Sequence, residues 1–139
     1  MQDENFIIER KILKIGNQLI NTRNSDLKKY NLTASQSETL LFFDRLKGAR
    51  VLDLKDYLKI SHQAARNIVE RMKLKDLFYV ETSDEDARTK QVYLTDNGQS
   101  ICNALKKRGT SIGETMLINL SSDEKKTLSN LLDKISDKI

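Results

Sequence analysis

The chain has no proline, five glycines in 139 residues and few aromatic side chains. Proline and glycine set the turns of many-stranded folds, so their scarcity favours helices. A single cysteine, Cys102, rules out an intramolecular disulfide. No apolar run approaches the roughly 18 residues of a membrane-spanning helix. The opening stretch MQDENFIIERKILKIG is acidic and then amphipathic, whereas a secretory signal is basic and then apolar. A cytoplasmic, reducing setting away from the membrane is expected. One histidine, His62, cannot build a multi-histidine metal site. There is no nucleophile–base pair, no glycine-rich phosphate loop and no carboxylate spacing that argues for a metal, so neither catalysis nor a cofactor is expected.

What is present describes a soluble globular protein of one domain, with 38% apolar and 32% charged residues. The net charge of +4 and the isoelectric point of about 9.1 permit an anionic partner. They do not select one. Residues 59 to 90 hold seven Lys or Arg against six Asp or Glu. A nucleic-acid reading must therefore rest on where the charges point.

Hydrophobic spacing organises the chain. Phe6, Ile7, Ile8, Ile12, Leu13, Ile15, Leu19 and Ile20 recur at helical intervals within a long helix over 4–29, broken at Asn31-Leu32. Thr33-Ala-Ser-Gln36 has the form of a capping box opening a second helix to about Leu46, with Gly48 beyond it. A short third helix spans about Asp53 to Lys59. Ser61 caps a fourth, with Ala65, Ile68, Val69 and Met72 facing inward and Asp76 at its end. Leu77–Thr82 and Gln91–Leu94 are β-prone and flank a charged loop, which reads as a hairpin. Thr95-Asp-Asn-Gly98 opens a fifth helix to about Leu117. Ser121-x-x-Glu124 opens a sixth, with Leu128, Leu131, Leu132 and Ile135 on one face. Three short helices and a β-ribbon make a winged helix-turn-helix, expected over about 33–98, with extra helices at 4–29 and 99–139.

Two stretches carry chemistry. In LKDYLKISHQAARNIVERM, Leu54 and Leu58 brace a core, Ile60 marks a turn, and Ser61 starts a helix whose N-terminal half shows His62, Gln63, Arg66 and Asn67. Gln or Asn pairs bidentately with adenine and Arg with guanine, and Ala64 and Ala65 permit close approach to base edges. The plainer alternative is a solvated amphipathic helix. In DEDARTKQVYLT, Asp86 and Arg88 are two apart, and on an extended strand such side chains share a face. A carboxylate there can fix the guanidinium and aim it at a narrow A·T-rich minor groove. Lys90 is placed to meet phosphate. Asp84 and Glu85 are expected to turn away from DNA. The alternative is an ordinary polar hairpin tip.

Asp86-x-Arg88-x-x-x-Val92-x-Leu94-Thr95 followed by Gly98 resembles the wing signature of the MarR (multiple-antibiotic-resistance regulator) family, and L-x-x-x-L-x-I-S matches it independently. The likeness covers essentially the whole chain. It implies Arg88 in the minor groove, the helix after Ser61 in the major groove, a homodimer built from the terminal helices, and usually a repressor released by a small ligand or an oxidant. Asp76 departs from the pattern, which often has glycine there. The family's peroxide sensors carry a cysteine near the amino terminus, and this chain has none there. Cys102 reads as a buried packing residue, and Lys106-Lys107-Arg108 as a solvated basic run.

Dimerisation also follows from the residues. The apolar stripe of the first helix, Leu117-Ile118-Leu120, and the stripe from Leu128 to Ile139 exceed what a small winged helix covers. The alternative packs both ends within one chain. The expectation is a sequence-specific, dimeric DNA-binding regulator. A winged-helix protein-interaction module that never reads DNA is the alternative.

Overall fold

The computed structural model of the protein describes residues 3–83, 85, 86 and 88–138. In chain order the elements are α1 (Glu4–Leu27), a 3-10 turn (Lys28–Tyr30), α2 (Ala34–Arg45), α3 (Val51–Leu58), α4 (His62–Leu74), β1 (Phe78–Thr82), β2 (Lys90–Leu94), α5 (Asp96–Met116) and α6 (Ser122–Ser136). This is the expected mainly α chain with a small antiparallel β-hairpin, a winged helix-turn-helix with flanking helices. The residues fall into two compact units, Met1–Cys102 and Asn103–Ile139, and their boundary lies within α5. Among the described residues no helix is long and apolar enough to cross a membrane.

Side-chain caps set most of the helix starts. At Thr33 both halves of the capping box form: the hydroxyl accepts from the Gln36 N–H and the Gln36 amide oxygen accepts from the Thr33 N–H, each at 3.1 Å. Ser121 and Glu124 repeat the arrangement at α6. The third helix starts two residues earlier than expected, at Val51. Asp53 accepts the Arg50 N–H at 2.9 Å from inside the first turn. An arginine side chain has no acceptor to return, so this box is half made. Asn31, Lys59 and Asp76 hold left-handed backbone with φ of 54°, 56° and 60°. They end, in turn, the turn after α1, α3 and the stretch after α4. Such a conformation costs an L-residue about 1–2 kcal/mol.

In the first unit, Leu40, Phe43, Leu54, Ala65, Val69, Met72 and Val92 are enclosed. Phe43 meets Phe42 and Phe78 edge to face, at centroid separations of 5.0 and 5.2 Å. Hairpin register pairs Val80 with Val92 and Thr82 with Lys90. Val92 also bonds sideways. Its N–H donates to the Ala49 carbonyl at 2.9 Å and its carbonyl accepts from the Gly48 N–H at 3.3 Å. The segment before α3 thus lies against β2 like a short third strand. On α1, by contrast, Phe6, Ile12, Leu13, Ile15 and Ile20 are exposed. In the second unit so are Ile118, Leu131, Leu132 and Ile135. Ile139 lies outside the described residues.

The exit from the wing is tightly closed. The Thr95 hydroxyl donates to the Asp76 carbonyl at 2.6 Å and accepts from the Gly98 N–H at 3.0 Å. A Cβ on Gly98 would stand 2.2 Å from the Leu77 carbonyl oxygen. Gly98→Ala should therefore destabilise the fold by about 1–3 kcal/mol, the usual range for overpacking. Equilibrium chemical denaturation measures this; a midpoint equal to the wild type would refute the close approach.

Candidate nucleic-acid interface

The Ser61 hydroxyl accepts the Ala64 N–H at 3.0 Å and fixes where α4 begins. Ala65, Val69 and Met72 are buried beneath it, with Ile68 half-buried. His62, Gln63, Arg66 and Asn67 are all exposed, as expected of a reading face. Packing divides that face in two. Gln63 donates its amide N–H to the Asn67 amide oxygen at 2.9 Å, one turn along the helix. This pair leaves the Gln63 oxygen and the Asn67 amide hydrogens free for an adenine edge. His62 and Arg66 turn instead toward the hairpin.

There they border a cleft of about 390 Å³ between α4 and the wing. Val51, Leu52, Val69, Val80 and Val92 line it, and of these Val69 and Val92 are buried. Its rim carries five cations, Arg50, Arg66, Lys73, Arg88 and Lys90, and one carboxylate, Glu70. The Glu70 carboxylate accepts from the Lys73 ammonium at 3.3 Å. Arg50 lays a fork on Asp53, with Nη2 to Oδ1 at 3.1 Å and Nε to Oδ2 at 3.4 Å. That side-chain bond holds the guanidinium more firmly protonated than usual. The same bond, then the Arg50 backbone N–H, holds the Asp53 carboxyl below its ordinary range. Sequence reasoning missed Arg50 and did not single out Lys73. Lys73 does share the helical face with Gln63 and Arg66. Arg50 carries no local signal, because the α4 and wing residues with which it shares the cleft lie far along the chain.

The wing tip departs from expectation. Thr89 donates its N–H to the Asp86 carbonyl at 3.0 Å, so the tip is a turn and not extended strand. The Asp86 carboxylate accepts the Arg88 backbone N–H at 2.9 Å and the Thr89 hydroxyl at 3.2 Å. No ion pair joins it to the Arg88 guanidinium among the described residues. In a turn, a short Asp side chain reaches the amide two residues on more readily than it reaches a guanidinium. Asp86 thus shapes the backbone, and Arg88 stands exposed at the mouth of the cleft. Glu85 is also exposed, and Asp84 lies outside the described residues. Lys90 starts β2 and reaches the rim. Cys102 is fully buried. Among the described residues no group of three His, Cys, Asp or Glu could hold a metal ion.

No protein-family model matches the chain. The structure superposes on wild-type MarR of E. coli with a TM-score of 0.74 at 25% identity, covering 91% of this chain and 94% of that one. It superposes on Streptococcus pneumoniae FabT, solved in complex with DNA, with a TM-score of 0.86 at 16% identity, covering 98% of this chain and all of that one. The fold is that of the MarR-family regulators. In sequence the chain is also similar to YybA of Bacillus subtilis, an uncharacterized HTH-type transcriptional regulator. The two are 23% identical over 132 residues, which span 95% of this chain and 88% of YybA.

Within this MarR fold the Asp86 geometry makes a discriminating prediction. Asparagine keeps an oxygen that can accept the Arg88 N–H, and alanine does not. Hydrogen exchange at the Arg88 amide should stay near wild type in Asp86→Asn and accelerate in Asp86→Ala. Equal acceleration in both variants would show that the charge, not the backbone bond, holds the tip.

Proposed function

We propose that the chain is a sequence-specific DNA-binding transcriptional regulator. It acts as a homodimer on a pseudo-palindromic operator, as a repressor released by a small ligand. The observation that carries the DNA reading is the cation-rimmed cleft, which sets the exposed N-terminal half of α4 beside Arg88 of the wing. A helix so placed fits the major groove, and a projecting arginine fits the adjacent minor groove, where narrow A·T-rich stretches concentrate negative potential. His62, Gln63, Arg66 and Asn67 are the readers. Ser61 and Lys90 approach phosphate, and Asp86 shapes the turn that presents Arg88. The DNA-bound FabT structure, which shares the fold, supports this assignment.

The exposed apolar residues support the dimer. On α1, Phe6 is 50% and Ile20 52% exposed, and on α6 Leu131 is 50% exposed. Residues of this kind at helical spacing are covered in a stable protein. A two-fold pair then sets two reading heads on one duplex. Repression and release by a small ligand rest on the family resemblance. None of these roles needs catalysis.

Fragments selected from the source genome by binding to the protein supply the probe. Arg88→Ala should weaken binding at least about tenfold, roughly 1.4 kcal/mol, with the dimer intact by sedimentation. Gln63→Ala or Arg66→Ala should narrow the ratio between selected and random duplex, by about 1–3 kcal/mol for removal of a bidentate pair. A wild-type protein that shifts no duplex at low salt would overturn the reading in favour of a protein-interaction module. A monomer at working concentration would overturn the two-headed arrangement.

A further inference from the structure

A helix in the major groove and an arginine in the neighbouring minor groove leave one sugar–phosphate strand between them. In this protein the space between those elements is the α4–wing cleft. Whatever rims its centre meets phosphate, because the base edges are already approached from either side. Arg50 stands on that rim, although it belongs to neither reading element. Its position is built. Gly48 and Ala49 bond to both backbone groups of Val92, and the next N–H, that of Arg50, goes to Asp53. The guanidinium is then laid on the same carboxylate by two further bonds. A guanidinium has five N–H donors, so the fork leaves three free. Asp53 accepts from Arg50 through both oxygens, so the carboxylate fixes the guanidinium while keeping its own charge.

We propose that Arg50 is a phosphate-binding residue that grips the DNA strand running between the reading helix and the wing. The proposal rests on the DNA-binding reading and adds a contact to it. Arg50 fixes the distance between the two groove contacts and carries no sequence information. A base-reading residue discriminates between duplexes, whereas a phosphate contact strengthens all of them alike and adds to the salt dependence.

The experiment titrates a fluorescent duplex of random sequence, and separately a genome-selected duplex, with the full chain between about 50 and 200 mM salt. The Arg50 side chain is 48% exposed, and Asp53 keeps its bond to the backbone N–H in any variant. Arg50→Ala should therefore melt like the wild type. It should lower the slope of log affinity against log salt by about 0.9, the value for one neutralised phosphate. It should also weaken both duplexes by the same factor, about three- to tenfold. Arg50→Lys retains the charge but cannot form the fork, so it should restore the slope and only part of the affinity. A wild-type slope in Arg50→Ala, or a weakening confined to the selected duplex, would overturn the proposal while DNA binding stands. A wild type that binds neither duplex at low salt overturns the DNA reading itself, and this phosphate grip with it.

Discussion

The geometry of the proposed DNA-facing surface depends on Val92. Its side chain is fully enclosed in the floor of the cleft, beneath the rim charges. Its backbone bonds away from β1, to Gly48 and Ala49. One residue thereby joins the wing, the start of α3 and the core that carries α4. Backbone groups in such a place must be paired, since an unmade bond there costs about 1–3 kcal/mol. The pairing ties the hairpin to the segment that leads into α3. Groove spacing on DNA is fixed within narrow limits, so a protein that enters two grooves at once needs this kind of rigidity.

The cleft separates two tasks. Its buried valines, Val69 and Val92, set position, because full burial of such a side chain contributes about 1.5–3 kcal/mol. Its rim ions contribute little to folding, since exposed pairs are screened by water and salt. The Lys73–Glu70 and Arg50–Asp53 pairs are of that exposed kind. Their effect is directional. Each restricts a long side chain to a few orientations before any ligand arrives, which reduces the entropy lost on binding. Arg66 and Arg88 are exposed on the same rim and stand outside those two pairs. In the proposed complex they have the freedom to adjust to base edges and groove width.

Much of this was legible in the sequence, for a local reason. Thr33-x-x-Gln36, Ser61 and Ser121-x-x-Glu124 act within four residues, and each caps the helix it was expected to cap. The exposed polar face of α4 follows from helical spacing alone. Legibility failed where the decisive partner was chosen by tertiary structure or by turn geometry. Asp53 marks a helix start on sight, yet the helix begins at Val51, because Arg50 supplies the N–H that Asp53 accepts. Asp86 and Arg88 share a face only on an extended strand. The turn closed by Thr89 redirects the carboxylate to a backbone amide. Arg50 reaches the wing through Val92, a pairing of two distant segments that no periodicity announces.

The charge pattern gives the same conclusion by another route. Over residues 59 to 90, cations exceed acids by one, seven against six. At physiological salt, fields from exposed charges fade within about 8–10 Å, so a segment so nearly balanced exerts little long-range pull on a polyanion, and the five cations gathered on the cleft rim act at close range. Attraction must come from direct bonding. A charge-assisted hydrogen bond is worth about 1.5–3 kcal/mol, but only with donor and acceptor in register. Binding that relies on such bonds fails abruptly when the frame shifts, because misplaced cations retain their charge and lose their geometry. A uniformly basic surface would bind any duplex and tolerate that shift. Acids interleaved among the cations weaken this indiscriminate attraction, and the backbone pairing at Val92 keeps the remaining donors in register.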